Sequence, residues 1–212
     1  MSVAYDKDRA GLRRRMRESR RALPESQRHA ASRAVAETLA RLGLPRPGTR
    51  VGAYIPMDGE LDPAPAVRLA LARRCEVFAP TITSFSRRSM RFAPLRADRP
   101  SRRNRWGIRE PDATWSVNGR WLDLVLVPCV AFDESGARLG MGAGFYDRHF
   151  SFLPHRSSWR RPRLLGIAYE SQRVAELQQK SWDVPLWGVI TERGVYAHAA
   201  GMLHGEPNEE TT

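Results

Sequence analysis

The chain has 212 residues, 42% of them hydrophobic and 27% charged, which excludes disorder for its body and leaves room for one substantial core rather than two domains of ordinary size. No window approaches about eighteen uninterrupted apolar residues and the N-terminus has no apolar signal core, so a cytoplasmic protein without a membrane partner is expected. The net charge of +12 suits an anionic partner, but every basic residue besides Lys7 and Lys180 is an arginine, and a chain-wide coding bias explains that usage as well as a nucleic-acid surface does.

Leu12, Met16 and Leu23 fall roughly along one stripe with arginines on the other faces, which predicts a first helix. Pro24 stands where a first-turn proline is tolerated, and Ala31, Ala34, Val35, Thr38, Leu39 and Leu42 repeat behind it at helical spacing. "RPGTR" marks a turn before the strand "VGAYIP". A helix over about 63–74 and the strands "CEVFAP" and "SMRFAPL" follow, then a long polar excursion from Arg96 to Arg120. "LDLVLVP" is a continuous apolar run with β-branched residues, as in a strand buried on both faces of a parallel sheet. "RLLGIAY" and "LWGVIT" have the same character, with a helix expected between them from Ser171 to Lys180. The order predicts an α/β fold, a single-domain three-layer α/β/α sandwich with a mostly parallel central sheet. Residues 1–204 form that catalytic domain in this reading, and 205–212 a frayed tail.

Cys75 and Cys129 lie in apolar runs and read as buried thiols. The five histidines lack metal-binding spacing, and no G-x-S-x-G elbow frames a nucleophile. The chemistry concentrates in "RLGMGAGFYDRHF", Arg138 to Phe150. Alternating glycines let consecutive N–H groups approach a phosphate without Cβ atoms in the way. The run is neither a P-loop nor the dinucleotide fingerprint, and alone it is more often a tight turn. Its company tips the balance: Arg138 precedes it, and Tyr146, Asp147 and Arg148 follow. An aspartate beside phosphates is a natural Mg²⁺ ligand.

The stretch "VPCVAFDESGARLGMGAGFYDRHF" resembles the signature of the 5-formyltetrahydrofolate cyclo-ligase family, also called methenyltetrahydrofolate synthetases. "RAGLR", "YIPMDGELDP", "WGIREP", "GIAYESQRV" and "WDVPLWGVITERG" match further in the same order, over about residues 9–194. The resemblance implies ATP- and Mg²⁺-dependent cyclisation of 5-formyltetrahydrofolate to 5,10-methenyltetrahydrofolate, with ADP and phosphate released through a phosphorylated formyl intermediate. It assigns ATP binding to Arg9, Arg13, Arg138, Leu139, Gly140, Met141, Gly142, Ala143, Gly144, Phe145 and Tyr146, and catalysis to Arg138, Tyr146 and Asp147. The folate side falls to Ile55, Glu60 and Trp106, and the metal to Asp147 and Asp183. Met141, Ala143, Phe145 and Trp187 depart from the commoner family residues, and a Cβ at position 143 would be strained if that position required a positive φ.

Plainer readings stand beside these. The N-terminal arginines make a solvated helix face, Trp106 anchors the excursion, Glu60 supports the following helix, and Asp133 is a turn residue. The rival functions are an RNA-binding protein and a non-catalytic relative that only binds folate or nucleotide. No nucleic-acid motif supports the first. A monomer acting on small molecules is expected.

Overall fold

The computed structural model describes residues 2–96, 101–155 and 161–197, so the expected tail at 205–212 lies outside the described residues. Two helices open the chain, α1 (Ser2–Ala22) and α2 (Glu25–Arg41), with Pro24 at the N-cap of the second. β1 (Arg50–Gly52), α3 (Ala64–Ala72), β2 (Glu76–Ser84) and β3 (Ser89–Pro94) come next. The polar excursion holds a small hairpin, β4 (Ser101–Arg103) with β5 (Arg109–Pro111). Then follow β6 (Leu124–Pro128), a second hairpin of β7 (Ala131–Phe132) and β8 (Arg138–Leu139), α4 (Phe145–Phe150), β9 (Arg163–Ile167), β10 (Gly188–Ile190) and β11 (Val195–Ala197).

Seven strands form one sheet in the order β11-β10-β9-β6-β1-β2-β3. The five central strands are parallel, and β3 and β11 close the edges antiparallel. β6 shows why. Leu124 and Leu126 join the cluster under α2, with Ala31, Val35 and Leu39, while Val125 and Val127 join the opposite cluster, with Phe92 and Phe150. A strand that alternates between two covered faces must be apolar throughout, which its sequence is. Val51 and Ala53 pack with Ala70 of α3 in a third cluster. Both cysteines are buried free thiols, and among the described residues no helix is long and apolar enough to cross a membrane.

One expected element is corrected. Residues 171–180 do not form a helix; a single 3₁₀ turn at Glu170–Gln172 is followed by irregular chain. The backbone groups find distant partners instead. Val174 N donates to Phe132 O at 2.9 Å, and Leu177 N donates to Asp133 Oδ2 at 2.7 Å. The buried Gln172 amide donates to Cys129 O and Val130 O. Amides bonded across the fold cannot close helical turns.

Candidate functional site

From β1 the chain runs outward through β2 to one edge, and from β6 outward through β9 and β10 to the other. The direction reverses between β1 and β6, and ligands of open α/β sheets gather beyond the strand carboxyl ends at such a point. A cleft of about 1180 Å³ lies there, bordered by Tyr54 and Ile55 after β1 and by Pro128 of β6. Arg9 and Arg13 of α1, Ile82, Phe85 and Met90 of the β2–β3 hairpin, the glycine loop, and residues 180–184 complete its walls.

The glycine loop springs from the β7–β8 hairpin. Asp133 turns that hairpin: its Oδ1 accepts from Ser135 N, Ser135 Oγ and Ala137 N at 2.9, 2.6 and 3.2 Å. Arg138 is tucked beneath the loop, its side chain 4% exposed, and its Nη2 donates to Asp147 Oδ1 at 2.5 Å. Val184 N donates to the same oxygen at 3.2 Å. Gly142 and Gly144 take φ of +105° and +70°, backbone that only glycine adopts without strain. Ala143 is not among the positive-φ residues, so its Cβ carries none of the feared cost. Among the described residues no backbone amide from Gly140 to Gly144 donates to a protein acceptor, and all five residues line the cleft. Arg13 Nε donates to Gly140 O at 2.9 Å, holding α1 against the loop.

The facing wall carries Glu60. Its side chain is 6% exposed, and its Oε2 accepts from Met57 N at 3.2 Å. Burial pushes its carboxyl up to about 7, against the charge of Arg20 and the Met57 amide. The loop that presents it is anchored through Asp58, at φ +54°. Arg17 Nε and Arg20 Nη2 donate to Asp58 Oδ2 at 2.5 and 3.1 Å, and Arg21 bonds Oδ1. Burial alone would raise the Asp58 carboxyl, but the bonds from Arg17 and Arg21 hold it below its ordinary value. Burial raises the phenols of Tyr54 and Tyr146, with the Glu60 charge adding to it.

Most of the expected residues come together. Arg9, Arg13, Ile55, Glu60, Arg138, Gly140 to Tyr146, Asp147 and Asp183 all line the one cleft. Two do not. The Leu139 side chain is fully buried in β8, and its carbonyl accepts from Val130 N. Trp106 stays outside the wall and touches Phe85, ring centroids 5.6 Å apart; Phe85 in turn packs edge-on against Phe145 at 5.5 Å. Asp183 Oδ2 accepts from Arg9 Nη2 at 3.1 Å and Lys180 N at 3.0 Å. Trp187 lies away from the cleft, under the Arg163 guanidinium at 4.4 Å. The plain reading of Asp133 holds; among the described α1 arginines Arg14, Arg15 and Arg21 are exposed while Arg9, Arg13, Arg17 and Arg20 are partly or fully buried, and before α3 it is Asp62, not Glu60, whose carboxylate accepts from Ala64 N.

Sequence reasoning missed Tyr54, Phe85, Lys180 and Trp182 as cleft residues. Tyr54 had a signal, since it directly precedes Ile55 at a strand's carboxyl end. Phe85 had none, because only the fold turns that hairpin toward the glycine loop.

The fold and cleft define a class: an α/β protein with a glycine-rich loop and a buried carboxylate lining one cleft at the switch point of its sheet. The comparisons narrow it. The model of the 5-formyltetrahydrofolate cyclo-ligase family matches residues 5–192. The chain is 33% identical over 184 residues to the 5-formyltetrahydrofolate cyclo-ligase of Escherichia coli K12, covering 85% of this chain and 98% of that one. It is 31% identical over 196 residues to the enzyme of the same name from Mycolicibacterium smegmatis, covering 88% and 95%. The solved 5,10-methenyltetrahydrofolate synthetase of Aquifex aeolicus is similar at a TM-score of 0.74 and 28% identity, over 91% of this chain and 94% of that one. The chain belongs to the 5-formyltetrahydrofolate cyclo-ligase family.

Proposed function

We propose that the protein converts 5-formyltetrahydrofolate and ATP into 5,10-methenyltetrahydrofolate, ADP and phosphate. The observation that carries this reading is the cleft itself, lined both by loop residues whose amides have no acceptor among the described residues and by the buried carboxylate of Glu60. The amides of Gly140 to Gly144 bind the phosphate oxygens, with Arg9 and Arg13 adding positive charge from α1. The ionised Glu60 accepts from the N–H-rich edge of the reduced pterin. Ile55 and Phe85 form the apolar bed beside it, and Trp106 backs Phe85.

The reaction asks for positioning and charge neutralisation rather than a side-chain nucleophile. The formyl oxygen attacks the terminal phosphorus and ADP leaves. N10 then attacks the activated carbon and loses its proton, the carbon–oxygen bond breaks, and phosphate departs with the former formyl oxygen. Arg138 stabilises negative charge beneath the loop and orients Asp147, and Tyr146 closes the cleft against water.

Asp147 Oδ2 and Asp183 Oδ1 accept no hydrogen bond from the described residues, and a hard oxygen donor facing phosphates is what magnesium selects. Asp147, with Asp183 beside it, would hold Mg²⁺, which supplies neutralisation of phosphate charge when bound.

The test follows near-ultraviolet absorbance as 5-formyltetrahydrofolate is converted. Product that depends on both ATP and Mg²⁺, and that Asp147→Asn abolishes, is the expected result. Folded protein that forms no product contradicts the reading.

A further inference from the structure

One buried cation among the described residues, with four contacts across two loops, is assigned nothing by the reaction. Arg20, on the last turn of α1, is fully buried. Its Nε donates to Asp58 O at 2.8 Å and its Nη2 to Asp58 Oδ2 at 3.1 Å. The same Nη2 lies 3.9 Å from Glu60 Oε1 and donates to the Met141 thioether sulfur at 3.7 Å. Its Nη1 is buried with no hydrogen-bond partner among the described residues. One guanidinium thus makes three contacts to the Glu60 loop and one to the glycine loop.

Fixing a loop does not require this arrangement. Arg17 and Arg21 already bond the Asp58 carboxylate from the same helix. Burying a third arginine, with one nitrogen unsatisfied, costs free energy that a packed apolar residue would not. What Arg20 alone does is reach past Asp58 to the two walls of the cleft. Met141 is 40% exposed, so its sulfur turns inward to a cation while the rest of the residue borders the cleft. We propose that Arg20 is a positioning residue for the reaction, setting the charge and orientation of Glu60 toward the pterin while tying the glycine loop to the same anchor.

This rests on the reading that Glu60 receives the pterin. Among the described residues, the titratable groups that interact with Glu60 include Arg17 and Arg20 from α1, Asp58 on its own loop, Tyr54 after β1, Cys129 after β6, and Tyr146 of α4. Arg20 gives the strongest stabilisation of the ionised carboxylate among them. Without it the carboxylate faces desolvation with the Met57 amide and the weaker pull of Arg17 to favour its charge.

The experiment compares wild type, Arg20→Met and Arg20→Lys, with thermal melts confirming folding. The Glu60 carboxyl is titrated by carbon NMR in protein labelled at glutamate side chains, a readout independent of turnover. Its midpoint is expected near 7 in wild type and about one unit or more higher in Arg20→Met, the usual effect of losing an opposite charge at this range. Arg20→Lys keeps the charge and is expected to keep the midpoint, but it cannot reach Asp58 O, Asp58 Oδ2 and Met141 together. In the absorbance assay Arg20→Met then raises KM for 5-formyltetrahydrofolate about tenfold or more, with the pH at half-maximal kcat/KM moved upward, and Arg20→Lys restores the pH profile but only part of the KM. An unmoved midpoint and KM in folded Arg20→Met overturns the proposal. Arg20→Met that does not fold, with Arg20→Lys matching wild type in both readouts, overturns the positioning role as well. Wild type that shows the expected Glu60 midpoints but no turnover would indict the proposed reaction and leave the electrostatic link standing.

Discussion

Two clefts of similar size open on this protein, and they differ in what their polar groups are doing. The larger lies at the sheet's switch point. The other, about 970 Å³, lies among Leu23, Asp133, Glu170 and residues 173–179. In the second cleft the carboxylates of Asp133 and Glu170 are consumed by the fold. Both oxygens of Asp133 accept backbone or side-chain donors, and Glu170 accepts from Thr191, Tyr196 and Arg173. Burial alone would raise the Glu170 carboxyl, but these bonds win and hold it below its ordinary value. At the switch point the balance is reversed: among the described residues the loop amides have no protein acceptor and two aspartates each keep an oxygen without a hydrogen bond, and Glu60 is driven toward neutrality. Satisfied polar groups build a fold, and those left unsatisfied in a cleft are available to a ligand.

The sharpest way to break this contrast is at Asp147. Asp147→Asn keeps an acceptor for Arg138 and Val184 N but removes the charge, and kcat is expected to fall about 10²–10³-fold with little change in melting temperature. Steady-state absorbance kinetics check it, and a loss below tenfold would put the metal elsewhere. Glu60→Gln comes next. It is expected to lower kcat/KM for 5-formyltetrahydrofolate by about 10–100-fold, the range for losing a charged hydrogen-bond partner. The same variant gains stability. The Glu60 carboxyl has a higher pKa folded than unfolded, so its contribution is intact below the ordinary carboxylate range and is lost as pH rises from there to about 7. Denaturant melts at pH 8 should find Glu60→Gln on the order of 3 kcal/mol more stable than wild type, with the difference vanishing near pH 4.

The second cleft answers differently. Asp133→Ala strips the acceptor from four donors and should cost about 2–4 kcal/mol in urea unfolding, while kcat of the folded fraction stays within about threefold. The smallest effect is expected at position 143. Ala143 occupies no left-handed backbone, so Ala143→Gly should leave kcat within about twofold and cost about 0.5–1 kcal/mol through chain entropy. A large gain in rate from that glycine would show that the Cβ obstructs the phosphate after all.

The same contrast explains what the sequence made legible. The two-faced burial of β6 is written in "LVLVP", and the glycine loop in its alternating spacing, because both are local patterns with a single physical cause. Residues 171–180 misled because their helix-compatible composition says nothing of Phe132 and Asp133, which claim their amides from across the fold. Trp106 sits where its sequence alone does not place it, for a related reason. Its sequence neighbourhood matches, but the β2–β3 hairpin interposes Phe85, a residue with no motif around it. Arg20 sits in a run of arginines where nothing local separates the one with no exposed surface from its solvated neighbours. Long-range partners, not residue type, decide such cases.

The central claim is that the amides of Gly140 to Gly144 are held open for phosphate. The direct measurement is amide NMR on the intact protein as a non-hydrolysable ATP analogue is added with Mg²⁺. The amides of Gly140, Gly142, Ala143 and Gly144 are expected to shift at saturation, while those of Ser135 and Leu177 in the second cleft stay in place. Unmoved loop amides, or shifts confined to the second cleft, would contradict the account.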